Sequence, residues 1–183
     1  MPYNPATTEP SDLKWYAAKI FLNRTNAISD SLEKRGIHIY RQSIAPSFIF
    51  IHCDEETILK VREDFRDKLY IYQNVAKTKL YAIPEAEMAS FILVTSTDYS
   101  DLTFLGEDKA EYHQGDRVRV KEGPFKGAEG HIKRIKRDRK LIVSINGVAA
   151  VAIAYIPPQL LEKVEPATKT QDNTQTPPPG STQ

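Results

Sequence analysis

Apolar and polar positions along the chain change period several times, and those changes mark out its elements. Residues 13–21, LKWYAAKIF, are short, aromatic and apolar, as a sheet strand would be. From Asn23 the spacing lengthens. Ala27, Ile28, Ser31 and Leu32 recur at three and four and Gly36 follows, which predicts an amphipathic helix stopped by glycine. Residues 37–40 and 47–52 read as two more strands. In the second, Phe48 and Phe50 fall on one face and Ile49 and Ile51 on the other, so both faces are apolar. Such a strand is either central and buried on both sides, or keeps one face for a partner protein. Asp54, Glu55, Glu56 and Thr57 have the acidic, capping composition of a helix start, continued by Ile58, Leu59, Val61 and Phe65. Residues 70–72 and 79–82 predict a strand pair, and Pro84 with Glu85 and Glu87 opens a third helix that runs to about Val94.

After this helix the pattern lapses. Residues 96–113 mix acids with Ser and Thr without a sustained period and read as a linker, in which Leu102, Phe104 and Leu105 are able to dock on either side. From Gly115 alternation returns: Val118 and Val120 alternate with Arg117, Arg119 and Lys121. Glycines around Pro124 then reverse the chain, and a second strand follows from Gly130, with Ile132 and Ile135 off strict alternation, which suggests a bulge near Gly130. Strands are predicted near 116–121, 129–136, 140–145 and 148–155, then a short turn at 157–161 and a closing strand at 162–164. Strands this short, bounded by Gly and Pro, suit a five-stranded all-β barrel. The predicted organisation is a flexible lead-in (1–12), an α+β domain with helices packed on an antiparallel sheet (13–95), the linker (96–113), the barrel (114–165) and a Pro-rich disordered tail (166–183).

Composition narrows the chemistry. Charged residues make up 27% and the net charge is +1, so any basic surface is local. It is concentrated between Asp116 and Lys140, with ten Lys/Arg against four Asp/Glu. The single cysteine, Cys53, excludes an internal disulfide and suits a reducing compartment. No apolar run reaches the roughly 20 residues of a membrane span, and the expectation is a monomeric cytoplasmic protein with no membrane attachment. His38, His52, His113 and His131 are scattered, and neighbouring strand residues such as His52 and Cys53 face opposite ways, so neither a metal site nor a catalytic constellation is predicted. No phosphate-binding fingerprint and no cofactor site stands out, and an enzyme is not expected.

Residues 115–120, GDRVRV, followed by Gly123-Pro124-Phe125-Lys126-Gly127 and Gly130, resemble the KOW motif that begins the C-terminal barrel of NusG-family transcription elongation factors. Ile145 is counted with these residues as a candidate for partner docking. The N-terminal half resembles that family too: Trp15-Tyr16 stands where it has a Trp-Tyr pair, residues 46–51 where it has Pro-Gly-Tyr-Val-Phe-Val, and Ile83-Pro84 with Glu87-Met88 where it has a late Ile-Pro and Glu-Met. The resemblance spans roughly residues 13–165. It implies a protein that binds the clamp helices of the largest RNA polymerase subunit and suppresses pausing or termination, with Trp15, Tyr16, Phe21, Phe48 and Phe50 forming or supporting the binding face.

Two departures from the family pattern bear on partners. Only five residues separate Tyr40 from Pro46, where family members often have a longer hairpin. Ala128 and Asn146 stand where exposed aromatics often help dock Rho or a small-subunit ribosomal protein, which leaves Phe125 and Ile145 as the candidates for that contact. The GAEG turn and residues 148–157 resemble antiterminators of polysaccharide operons in Bacteroides-type bacteria. Lys133, Arg134, Lys136, Arg137, Arg139 and Lys140 are the candidates for contact with nascent RNA or non-template DNA, unless the run is a solvated turn. A free-standing RNA-binding protein, stacking bases on exposed Phe48 and Phe50, is the main rival, and a ribosome-associated KOW protein is the third reading.

Overall fold

The computed structural model describes residues 12–74, 76–96, 102–106, 115–135, 137–153 and 156–164. The first part contains β1 (Lys14–Ile20), α1 (Thr25–Lys34), β2 (His38–Tyr40), β3 (Phe48–Cys53), α2 (Glu55–Asp64), β4 (Leu69–Ile71), β5 (Ala82–Ile83) and α3 (Glu85–Thr95). The second contains β6 (Leu102–Gly106), β7 (Arg117–Val120), β8 (Glu129–Ile135), β9 (Asp138–Ile145), β10 (Ala149–Ile153), a 3-10 turn (Pro158–Leu160) and β11 (Leu161–Lys163). The class is α+β with an all-β C-terminal part, as the sequence predicts. The lead-in before Asp12 and the Pro-rich tail lie outside the described residues.

Local chemistry fixes the helix ends. Gly36 follows α1 at φ 77°, its N–H donating to the Glu33 carbonyl while that of Ile37 donates to Leu32. This is the double-bonded glycine stop that the composition predicted. At the start of α2 the Asp54 carboxylate accepts from the Thr57 N–H at 2.8 Å and from its hydroxyl at 2.9 Å. Burial pushes the Asp54 carboxyl up, but these hydrogen bonds outweigh it and hold the group below its ordinary value. A carboxylate with a depressed folded pKa stabilises above its unfolded pKa of about 4, and the contribution is lost as pH falls through the lower folded value. Asp54→Ala is therefore expected to cost about 1 kcal/mol at pH 7, a difference that shrinks toward zero in urea titrations repeated at progressively lower pH.

The first sheet runs β2-β3-β1-β4, with β5 also paired to β1, and every pairing is antiparallel. The predicted strand pair at 70–72 and 79–82 forms only in part. Gln73 and Leu80 make an isolated bridge, while β4 and β5 each use β1 as their ladder partner. Period-two alternation along β1 and β3 sends Tyr16, Ala18, Ile49, Ile51 and Cys53 to one face, sealed by Ile28 and Leu32 of α1 and Ile58 and Val61 of α2. Trp15, Ala17, Phe48 and Phe50 go to the other, against Met88, Phe91 and Val94 of α3. β3 is thus a strand buried on both sides, the first of the two readings that its sequence allowed.

The second sheet runs β11-β7-β8-β9-β10-β6. It holds the five predicted strands and a sixth, β6, from the segment read as linker, which pairs antiparallel with β10. The irregularity of register falls between Ala150 and Val151, not at Gly130. Ile132 and Ile135 break alternation because they belong to different faces: Ile132 packs on the main core, Ile135 on a small cluster with Ile142, Ala150 and Ala152. The main core is continuous between the sheets, from Trp15 and Phe50 through α3 to Val143 and Ile145.

Candidate functional site

The aromatic face expected to meet a partner is covered. Trp15 is 5% exposed, Tyr16 2%, Phe48 3% and Phe50 1%. Tyr16 lies on the far side of the sheet beneath α1 and α2, where burial and then the nearby Cys53 push its hydroxyl up to about 12. Phe50 meets Phe91 of α3 with ring centroids 5.2 Å apart. Trp15 stacks on His52 at 4.6 Å and meets His38 edge-on at 5.4 Å. Burial, partly opposed by Glu85 and reinforced by His38, holds His52 below its ordinary value. Phe21 alone of the five is open, at 43%. Leu22 and Tyr70 are also exposed, and Leu22 and Asn23 take left-handed φ values of 58° and 53° that project the turn outward.

Cys53 and His52 point to opposite sides of β3, as adjacent strand residues must. Burial and then Asp54 raise the Cys53 thiol to about 12, which keeps it protonated and unreactive at neutral pH.

What covers Phe48 differs from what covers Phe50. Phe104 of β6 reaches it edge-on at 5.7 Å, so a strand of the second sheet caps an aromatic of the first. Two polar contacts join the same parts. The Glu129 N–H donates to the Ser90 hydroxyl of α3 at 3.1 Å, and the Asn146 N–H donates to the Glu87 carboxylate at 3.1 Å. α3 is apolar around most of its circumference because it is covered by both sheets. The sequence marks Phe104 as able to dock on either side and Glu87 as part of the opening of the third helix, whereas Ser90 is not singled out. The one available signal was the all-round apolar character of residues 88–94, which an ordinary surface helix lacks.

The predicted turn motif is well formed. Gly123 and Gly127 take φ 88° and 94°, and the Gly127 N–H donates to Val120 at 2.8 Å, closing the turn around exposed Pro124. Phe125 is 4% exposed and Ile145 fully buried, so both belong to the core and present no docking ring. Ala128 is buried as well, and Asn146 is exposed, with its backbone N–H on Glu87 of α3. Gly130 is buried for a reason other than a bulge: a Cβ there would lie 2.3 Å from the Ile142 carbonyl oxygen.

The cations divide into two groups. Arg117 and Arg119 both bind Glu129, at 2.8 and 2.6 Å, and Arg119 also reaches Glu162 at 3.3 Å. Burial pushes the Glu129 carboxyl up, but the two guanidinium groups more than offset it and hold it below its ordinary value. Toward the β8–β9 hairpin end, Arg134 stands directly opposite Arg139 and Lys133 opposite Lys140, with Arg137 at the turn. Lys136 lies outside the described residues.

With this geometry in hand, residues 114–146 match the family model of the KOW motif. The C-terminal sheet carries a KOW motif. The match occupies less than a fifth of the 183 residues. A search of curated proteins by sequence finds no match. Among solved structures, the chain is similar to one described as "Domain interaction in Thermotoga maritima NusG", at 19% identity over 85% of this chain and 99% of that chain, with a TM-score of 0.43. It is also similar to a chain of the MjSpt4:Spt5 complex in conformation B, at 13% identity over 82% of this chain and 96% of that one, with a TM-score of 0.32.

Proposed function

We propose that the protein is a NusG-type transcription elongation factor: a non-enzymatic adaptor that rides on the clamp helices of RNA polymerase and suppresses pausing or termination, in an operon-specific manner suited to polysaccharide genes. The observation that carries this reading is a KOW motif following an α+β module whose Trp-Tyr, Phe-Ile-Phe and Ile-Pro segments stand in the order that the resemblance requires. Buried Trp15, Tyr16 and Phe50 then act as the rigid support of the polymerase-binding surface. Exposed Phe21 with Leu22 and Tyr70 offers a ready contact, and Phe48 becomes available when β6 and Phe104 move off it. Glu87, Ser90 and Phe104 hold the second sheet against the first in the closed form.

The RNA-binding rival needs the Phe48 and Phe50 rings open to bases, and both are buried. Pulldown with tagged protein separates the readings further. Polymerase is expected to be retained after nuclease treatment, and its complete loss on nuclease would refute the proposal. Sedimentation with ribosomal subunits in high salt would favour a ribosomal role. Phe21→Ala is expected to weaken polymerase binding by about 2 kcal/mol, roughly 30-fold in Kd, with little change in stability because its ring is already nearly half in water.

A further inference from the structure

A row of rings crosses one end of the first sheet. His38 of β2 stands directly opposite His52 of β3, and His52 in turn stands opposite Trp15 of β1. Side chains so opposed share one face of the sheet, with Cβ atoms about 5 Å apart. Alternation puts them on the face of β3 that carries Phe48 and Phe50. His38 is exposed and His52 only partly buried, so this end of the face is open to water.

The spacing of the two imidazoles is that of a chelate. A ligating nitrogen lies about 2.0–2.1 Å from a zinc ion, so two rings that share one ion have centroids about 4.5–6.5 Å apart. The His38 and His52 centroids are 5.9 Å apart, with their planes at 83°. Trp15 fixes the second ring from the other side: it is 5% exposed and stacks on His52 at 4.6 Å with 23° between planes. It also meets His38 edge-on at 5.4 Å. Ring contacts hold both imidazoles, and among the described residues neither spends a nitrogen on a hydrogen bond. Each neutral ring therefore keeps a lone pair for a ligand. Burial holds His52 below its ordinary value, which favours the neutral form that binds metal.

Glu85, the first residue of α3, is near enough for its charge to act on His52, but among the described residues no set of three ligands is assembled. Two protein nitrogens with water in the other positions suit an exchangeable ion and not a closed structural one. Imidazole nitrogens select the later divalent metals of the first row.

We propose that His38 and His52 form a two-histidine site for a divalent cation of the nickel, copper and zinc class. The ion would clip β2, a three-residue edge strand whose ladder partner is β3, to the rest of the sheet. The site is separate from the exposed turn at Phe21 and does not depend on polymerase binding.

Trp15 is the only tryptophan of the chain, so its emission reports this site directly. The test is a titration of the untagged full chain with copper(II) or nickel(II) chloride. Saturable quenching of Trp15 is expected, reversed by excess zinc, and weakening as the pH falls below the ordinary histidine value of about 6.5. H38A should raise the half-quenching concentration at least tenfold, whereas H131A, on the second sheet, should leave it unchanged. Electron paramagnetic resonance of the copper form should show two nitrogen ligands in the wild type and one fewer in H38A. At a hundredfold excess of metal over Kd the thermal midpoint should rise by about 5 °C, and the rise should vanish in H38A. If quenching does not saturate, or H38A quenches as the wild type does, or H131A weakens binding as much as H38A, the proposed site is wrong. Circular dichroism checks the fold, and H38F, which keeps a ring against Trp15 but offers no nitrogen, carries the same test if H38A perturbs the sheet. Polymerase pulldown with either variant should be unchanged, so failure here is separable from failure of the elongation-factor reading.

Discussion

Phe50→Ala is expected to lower the free energy of unfolding by roughly 3–5 kcal/mol. The ring is 1% exposed at the centre of β3, with Phe91 at 5.2 Å and Tyr40 at 6.4 Å between centroids. Its removal takes away apolar burial and leaves a void that α3 closes only by shifting, and α3 is held in place by the second sheet as well as the first. A domain of ordinary stability has only about 5–15 kcal/mol in total. Urea denaturation should show a large fall in midpoint, whereas a loss below about 1 kcal/mol would mean that the junction is far looser than the packing indicates. The result also governs how function is assayed. A Phe48→Ala, Phe50→Ala double variant that lost read-through would report unfolding rather than a lost contact. Phe21→Ala is the cleaner probe, because that ring is already half in water.

Much of this architecture is legible in the sequence where local chemistry decides it. Gly36 after an amphipathic run, Asp54 before Glu55 and Glu56, and Gly123-Pro124 between two alternating segments each encode their own boundary, and each boundary forms as read. The less legible parts are those set by distant partners. β6 has no strong strand signal of its own because what holds it is its ladder with β10, a partner far away in the sequence. The segments at 70–72 and 79–82 meet through the Gln73–Leu80 bridge and the backbone hydrogen bonds that flank it, while β4 and β5 take their ladder partner from β1.

The candidate site shows the same division. An apolar run with Phe on one face and Ile on the other reads identically whether one face meets a partner or the chain's own helix, and only α3 decides between them. Which cations are held by acids is likewise invisible in a basic run. Arg117 and Arg119 look like Arg134 and Arg139 until the fold places Glu129 between the first pair and, among the described residues, pairs no acid with the second.

Gly130→Ala is expected to destabilise the second sheet by about 2–3 kcal/mol, the upper part of the usual overpacking range. A methyl group there would lie 2.3 Å from the Ile142 carbonyl oxygen, 3.0 Å from its carbon and 3.0 Å from the Leu141 Cδ1. Leu141 can turn away, but the carbonyl is backbone in β9, so the strands themselves must part. Because Gly130 pairs with Val118 of β7 as well, the distortion reaches both neighbours of β8. Gly123 makes the opposite case. A Cβ at that position would meet nothing within 4 Å, and glycine is needed there only for its φ of 88°. Asparagine tolerates that region better than other residues, so Gly123→Asn should cost well under half as much as Gly130→Ala. In thermal unfolding the difference should be plain, with a fall of about 5–10 °C for Gly130→Ala in a protein of this size and a much smaller one for Gly123→Asn. Equal shifts would mean that both glycines serve the turn alone, and that β8 does not pack against β9 as closely as the register requires.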